Sequence, residues 1–71
     1  MERTLNIAIG VKTKDLREKK HKTIEKLAYE NDIAKSTLSR IERGLIDARI
    51  STLKKIASGL EISLSVLLKD T

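Results

Sequence analysis

The sequence has no cysteine, proline, tryptophan or phenylalanine, and among its 71 residues it holds one tyrosine (Tyr29) and one histidine (His21). Without cysteine and with a lone histidine, disulfide frameworks, thiol redox chemistry, zinc fingers and Cys/His metal clusters are excluded, and no metal ligand is assigned. Nothing replaces those staples, so helix packing, with or without a second subunit, must supply the stability. One tyrosine cannot form the stacking platform that single-stranded nucleic acid requires. Long hydrophobic runs are also missing. The longest apolar-leaning stretch, Leu5 to Val11, is broken by Asn6 and is far shorter than the roughly 20 residues that span a bilayer. It lacks a small-residue cleavage site as well, so the expectation is a soluble cytoplasmic protein without membrane contact.

A chain of this length makes one domain, expected over residues 1–71. It buries only about 60% of its unfolded surface, which leaves no room for both a scaffold and a deep substrate cleft. No catalytic residue, cofactor or small-molecule ligand is expected. Lys and Arg total 15 against 10 Asp and Glu, a net charge of +5. Most of the excess falls between Lys12 and Lys22, where Lys12, Lys14, Arg17, Lys19, Lys20 and Lys22 face only Asp15 and Glu18. A smaller cluster joins Lys35, Arg40 and Arg43 against Glu42. Such a distribution suits a polyanionic partner, above all duplex DNA. Charge alone is equally compatible with a solvated lysine surface.

The apolar residues recur at helical spacing and good helix formers abound, which predicts an all-α domain. A first helix is expected over Ile9 to Lys20, with Ile9, Leu16 and the stems of the long lysines turned inward. Gly10 weakens its start, which leaves residues 1–8 as a short N-terminal arm and a core over residues 9–68. Ile24, Leu27 and Ala28 mark a second helix, Thr23 to about Asn31, with Thr23 as its N-cap. Ala34, Leu38, Ile41 and Leu45 lie on one stripe, and Gly44 supplies a left-handed C-cap, so a third helix runs from about Lys35 to Arg43. Leu53, Ile56, Ala57 and Leu60 make a fourth helix that starts near Ser51 or Thr52. Leu64, Leu67 and Leu68 behind Ser63 make a short fifth. Only Asp32, Ile33 and Ala34 separate the second and third stripes, and a turn that tight forces a sharp crossing, the geometry of a helix-turn-helix.

The run Thr23-Ile24-Glu25-Lys26-Leu27-Ala28, continuing through Ile33-Ala34-Lys35-Ser36-Thr37-Leu38-Ser39-Arg40-Ile41-Glu42-Arg43-Gly44 to Leu53-Lys54-Lys55-Ile56-Ala57-Ser58-Gly59-Leu60, resembles the Cro and phage-repressor type helix-turn-helix, or Xre family. The segment Leu27 to Ile33 is also similar to restriction-modification controller proteins. The resemblance implies a compact five-helix, lambda-repressor-like domain whose third helix enters the major groove. It implies a homodimeric transcriptional regulator, bacterial or phage-encoded and nucleoid-associated, bound to a pseudo-palindromic double-stranded DNA operator. Base contacts carry over to Lys35, Ser36, Thr37, Ser39 and Arg40. Lys35 and Arg40 can donate to guanine O6 and N7, while Ser36 and Thr37 can donate, accept or touch a thymine methyl. Phosphate contacts carry over to Lys22, Thr23 and Arg43, which would set register and not sequence preference. Arg17 and Glu42 correspond to a structural ion pair between the first helix and the end of the third. The apolar stock at Ile62, Leu64, Val66, Leu67 and Leu68 is the expected dimer interface, with some of it needed to close the core.

Several positions depart from the family pattern. Ile24 stands where glutamine is usual and removes a phosphate contact; it is expected to pack at the start of the second helix instead. His21 and Asp32 occupy usual glycine positions. Ala34 is a poor N-cap for the third helix, which leaves fraying at Lys35 or capping by Asp32 as the alternatives. A rival reading of the chain is a protein-interaction module, an antitoxin or anti-repressor, with DNA binding secondary. A hydrolase would need a His/Asp/Glu constellation, and none stands out.

Overall fold

The computed structural model describes residues 3–69, and among them are five α-helices and no strand. In chain order these are α1 (Arg3–Lys19), α2 (Ile24–Glu30), α3 (Lys35–Glu42), α4 (Ile50–Gly59) and α5 (Leu64–Leu68). None of them is long and apolar enough to cross a membrane. Leu27, Ala28, Ile33, Leu38, Ile41, Leu53, Ile56 and Leu60 are buried and, with Ile9, Ala57 and Leu67, form the core.

The expected N-terminal arm is corrected: residues 3–8 are the first turns of α1. Leu5, Ile9, Thr13 and Arg17 follow at four-residue intervals, so one stripe faces the core from the start of the helix. Leu5 packs against that core, Ile9 and Thr13 are buried, and Thr13 Oγ1 donates to the Ile9 carbonyl at 2.8 Å. Gly10 does not mark a helix start. It is buried where α1 crosses the C-terminal end of α3, and a Cβ there would lie 2.6 Å from the Glu42 carbonyl oxygen and closer still to that of Ile41. Only a residue without a side chain lets the two backbones approach this closely.

The first four helices end in the same way. Each is followed by a residue of positive φ: His21 (56°), Asp32 (55°), Gly44 (71°) and Glu61 (60°). The next residue in each case, Lys22, Ile33, Leu45 or Ile62, donates its N–H to the carbonyl five positions back, on Arg17, Ala28, Arg40 or Ala57, at 2.9 to 3.2 Å. This is the Schellman closure, which satisfies carbonyls that the helix end leaves unpaired. Glycine suits the left-handed position best, yet this chain uses it only at Gly44. The left-handed turn there also sends Leu45 out of the core stripe on which its spacing put it, and Leu45 is 62% exposed.

Helix starts are less uniform. Thr23 Oγ1 accepts from Lys26 N at 3.0 Å and Ser63 Oγ from Val66 N at 3.2 Å, so α2 and α5 carry side-chain caps. Ala34 gives α3 none, and Asp32 does not replace it. α4 begins at Ile50 behind Arg49, earlier than Ser51 or Thr52, and also without a side-chain cap. Ile24, the first residue of α2, packs against the core as expected from its apolar side chain.

Candidate nucleic-acid interface

α3 is amphipathic with a sharp division. Leu38 and Ile41 are buried beneath it, while Lys35, Ser36 and Arg40 are exposed and Thr37 and Ser39 lie half-buried along the edge. Lys35 and Ser39 are one turn apart, as are Ser36 and Arg40, so the five polar side chains form one outer surface. Arg40 has no ion-pair partner among the described residues, and its guanidinium therefore presents a free planar fork of donors.

That surface is held at a set angle by α1. Arg17 reaches across to Glu42 with two parallel bonds, Nε to Oε2 at 2.7 Å and Nη2 to Oε1 at 3.0 Å, and its Nη1 donates to the Lys22 carbonyl at 2.8 Å. Both residues are only 8% exposed. The Glu42 carboxylate pushes the Arg17 pKa still higher, against the opposing effect of burial. One guanidinium thus joins α1, the loop before α2 and the end of α3, with each carboxylate oxygen satisfied.

The other basic side chains are engaged to different degrees. Lys22, half-buried, sits 2.9 Å from Glu30 Oε1 and draws the Glu30 carboxyl below its usual range. Arg43 is exposed and turns its Nε toward the Ser39 carbonyl at 3.4 Å. Lys19 pairs with Asp15 at 3.1 Å and Lys20 with Glu61 at 3.5 Å. Lys35 Nζ lies 3.0 Å from Glu25 Oε2. Glu25 has a lowered pKa, first through its own backbone N–H at the start of α2 and then through Lys35.

Beside α3, Thr37, Ile41, Ile46, Asp47, Ala48, Arg49 and Thr52 line an open groove of about 320 Å³. The exposed Arg49 brings a cation next to Thr37 on the α4 side, a role its sequence context did not mark. Glu25 carries no sequence signal for this contact, because its partner Lys35 is ten residues away across a turn and no helical period relates them. No group of three or more metal-ligating side chains occurs among the described residues.

The C-terminal residues expected at a dimer contact divide. Leu67 is fully buried in the core of the single chain and is thus the part of this apolar stock that closes the core. Ile62, Leu64 and Leu68 are partly buried against that core, and Val66 is 44% exposed.

Residues 14–67 match the model of the helix-turn-helix family HTH_3. A comparison with curated proteins gave no match. Among solved structures, an HTH_3 family transcriptional regulator from Vibrio cholerae superposes with a TM-score of 0.88 at 34% identity, covering 94% of this chain and 38% of that one. The chain thus spans well under half the length of that regulator. The restriction-modification controller protein C.AhdI from Aeromonas hydrophila superposes with a TM-score of 0.84 at 26% identity, over 87% of this chain and 94% of that one. A mutant of a second controller protein, C.Esp1396I, gives 0.86 at 33% identity, over 97% and 87%. With its family model matched over most of its length and its five helices superposed on solved members, the chain belongs to the HTH_3, or Xre-type, helix-turn-helix family.

Proposed function

We propose that this protein is a sequence-specific, double-stranded-DNA-binding transcriptional regulator that acts as a homodimer on a pseudo-palindromic operator. The observation that carries the reading is the outer face of α3, where Lys35, Ser36 and the unpaired Arg40 stand exposed on a helix braced by the Arg17–Glu42 contact. Arg40 supplies a bidentate donor for guanine, and Ser36, Thr37 and Ser39 supply adaptable hydroxyls beside it. Arg43 and Thr23 flank this face and hold phosphates; Lys22 joins them by exchanging Glu30 for a phosphate oxygen. The similarity to two controller proteins supports the assignment to a regulator.

Two copies related by a twofold axis would place their α3 helices one duplex turn apart, roughly 34–36 Å. Val66, with the partly buried Ile62, Leu64 and Leu68, provides the apolar surface for that contact. Selection of duplexes from a random library tests the reading. The expected result is enrichment of one palindromic motif and a complex of two chains per duplex; recovery of unrelated sequences would count against it.

A further inference from the structure

We propose that Glu25 is a positioning residue for Lys35, holding its ammonium over one base pair and withholding it from neighbouring phosphates. The inference rests on the reading of α3 as a DNA-recognition helix. Lys35 is the first residue of α3 and Glu25 the second of α2, and the turn between the helices brings Nζ within 3.0 Å of Oε2. Each side chain is 63% exposed, so the contact sits on the outer rim of the proposed DNA face and not beneath it. Among the described residues, Glu25 is the one acid that forms an ion pair with a side chain proposed to read a base.

The pairing has a local cause. Lys35 puts a cation at the positive end of α3, where the first turn holds no acid and Ala34 provides no cap. Glu25 offsets that charge from the adjacent helix. The consequence for recognition follows from the chemistry of lysine, whose ammonium is a point charge on a flexible four-carbon stem. Left alone, it serves any phosphate or guanine within reach. Held by Glu25, it spends one of its three donors on the carboxylate and keeps two for the duplex. A guanine near the held position is reached with the ion pair intact. Swinging to a phosphate breaks the contact and leaves an uncompensated carboxylate beside a polyanion, so incorrect sites are penalised more than the correct one.

The test uses the full chain with Glu25→Gln, Lys35→Met and the double variant, each titrated with the selected duplex, with duplexes altered one base pair at a time, and with a random duplex over a range of salt. Glu25→Gln is expected to lower discrimination at the base pair read by Lys35 by about two- to fivefold, the scale of an exposed ion pair. Binding to random duplex should strengthen, with the salt slope steeper by roughly 0.9 as Lys35 gains a phosphate. In the Lys35→Met background, Glu25→Gln should leave discrimination at that base pair unchanged. Parental discrimination in Glu25→Gln, or an equal loss with and without Lys35, overturns the proposal. A parent protein that prefers no duplex would instead overturn the DNA-binding reading itself, and this inference with it.

Discussion

Arg17 and Glu42 meet through two parallel bonds, 2.7 and 3.0 Å long, between the last turn of α1 and the last residue of α3. Removing one partner strands a charge that is almost out of water. Arg17→Met is therefore expected to cost about 3 kcal/mol and to lower Tm by roughly 12 °C or more. The double variant Arg17→Met, Glu42→Leu should recover part of that loss, because neither site then holds an unpaired charge. Thermal unfolding followed by circular dichroism measures both, and a single variant as stable as the parent would contradict the role assigned to the pair.

Gly10→Ala should also destabilise, although alanine is the better helix former by about 1 kcal/mol. The added Cβ meets the carbonyl groups of Ile41 and Glu42, and backbone cannot move aside as a flexible side chain would. Overpacking of this kind costs about 1–3 kcal/mol. A urea midpoint at or above the parental value would show that α1 and α3 do not approach as closely as described.

His21→Gly runs in the opposite direction. His21 sits at φ 56° with its N–H bonded to the Glu18 carbonyl at 2.9 Å, a conformation glycine adopts without penalty. The substitution should raise stability by about 0.5–1 kcal/mol, the left-handed penalty less the greater entropy of an unfolded glycine. Asp32→Gly should gain less, because aspartate tolerates this region better. Chemical denaturation of the two variants side by side checks the ranking.

The same residues explain what was legible in the sequence. Helix existence, the core and the cap at Thr23 follow from periodicity and local hydrogen bonding, and both can be read from neighbours within four positions. The start of α1 could not be read this way, because Gly10 looks like a helix breaker until the carbonyls of α3 are seen against it. Glu61 gave no turn signal, since its left-handed geometry is imposed by the closure onto Ala57 and not by its own preference. On the candidate interface, the exposure of Lys35, Ser36 and Arg40 follows from the α3 stripe. The Glu25–Lys35 and Lys22–Glu30 contacts do not, because they depend on how separate segments are juxtaposed.

Val66 and Leu67 are adjacent but should behave differently. Leu67→Ala opens the core and is expected to cost about 2–5 kcal/mol of fold stability. Val66→Lys should leave the fold intact and shift sedimentation toward the monomer, by placing like charges across the proposed twofold axis. Unchanged association in Val66→Lys would move the dimer contact elsewhere.

Whether the outer face of α3 reads bases is decided by comparing the parent with Arg40→Ala and Arg43→Ala on the selected operator and on its single-base-pair variants. Arg40→Ala is expected to lose about 1–3 kcal/mol and its preference at one symmetry-related base pair, while Arg43→Ala should weaken binding to all duplexes evenly and reduce the salt slope by about one. Arg40→Ala binding with parental affinity and an unaltered preference at every position would contradict base reading by this face.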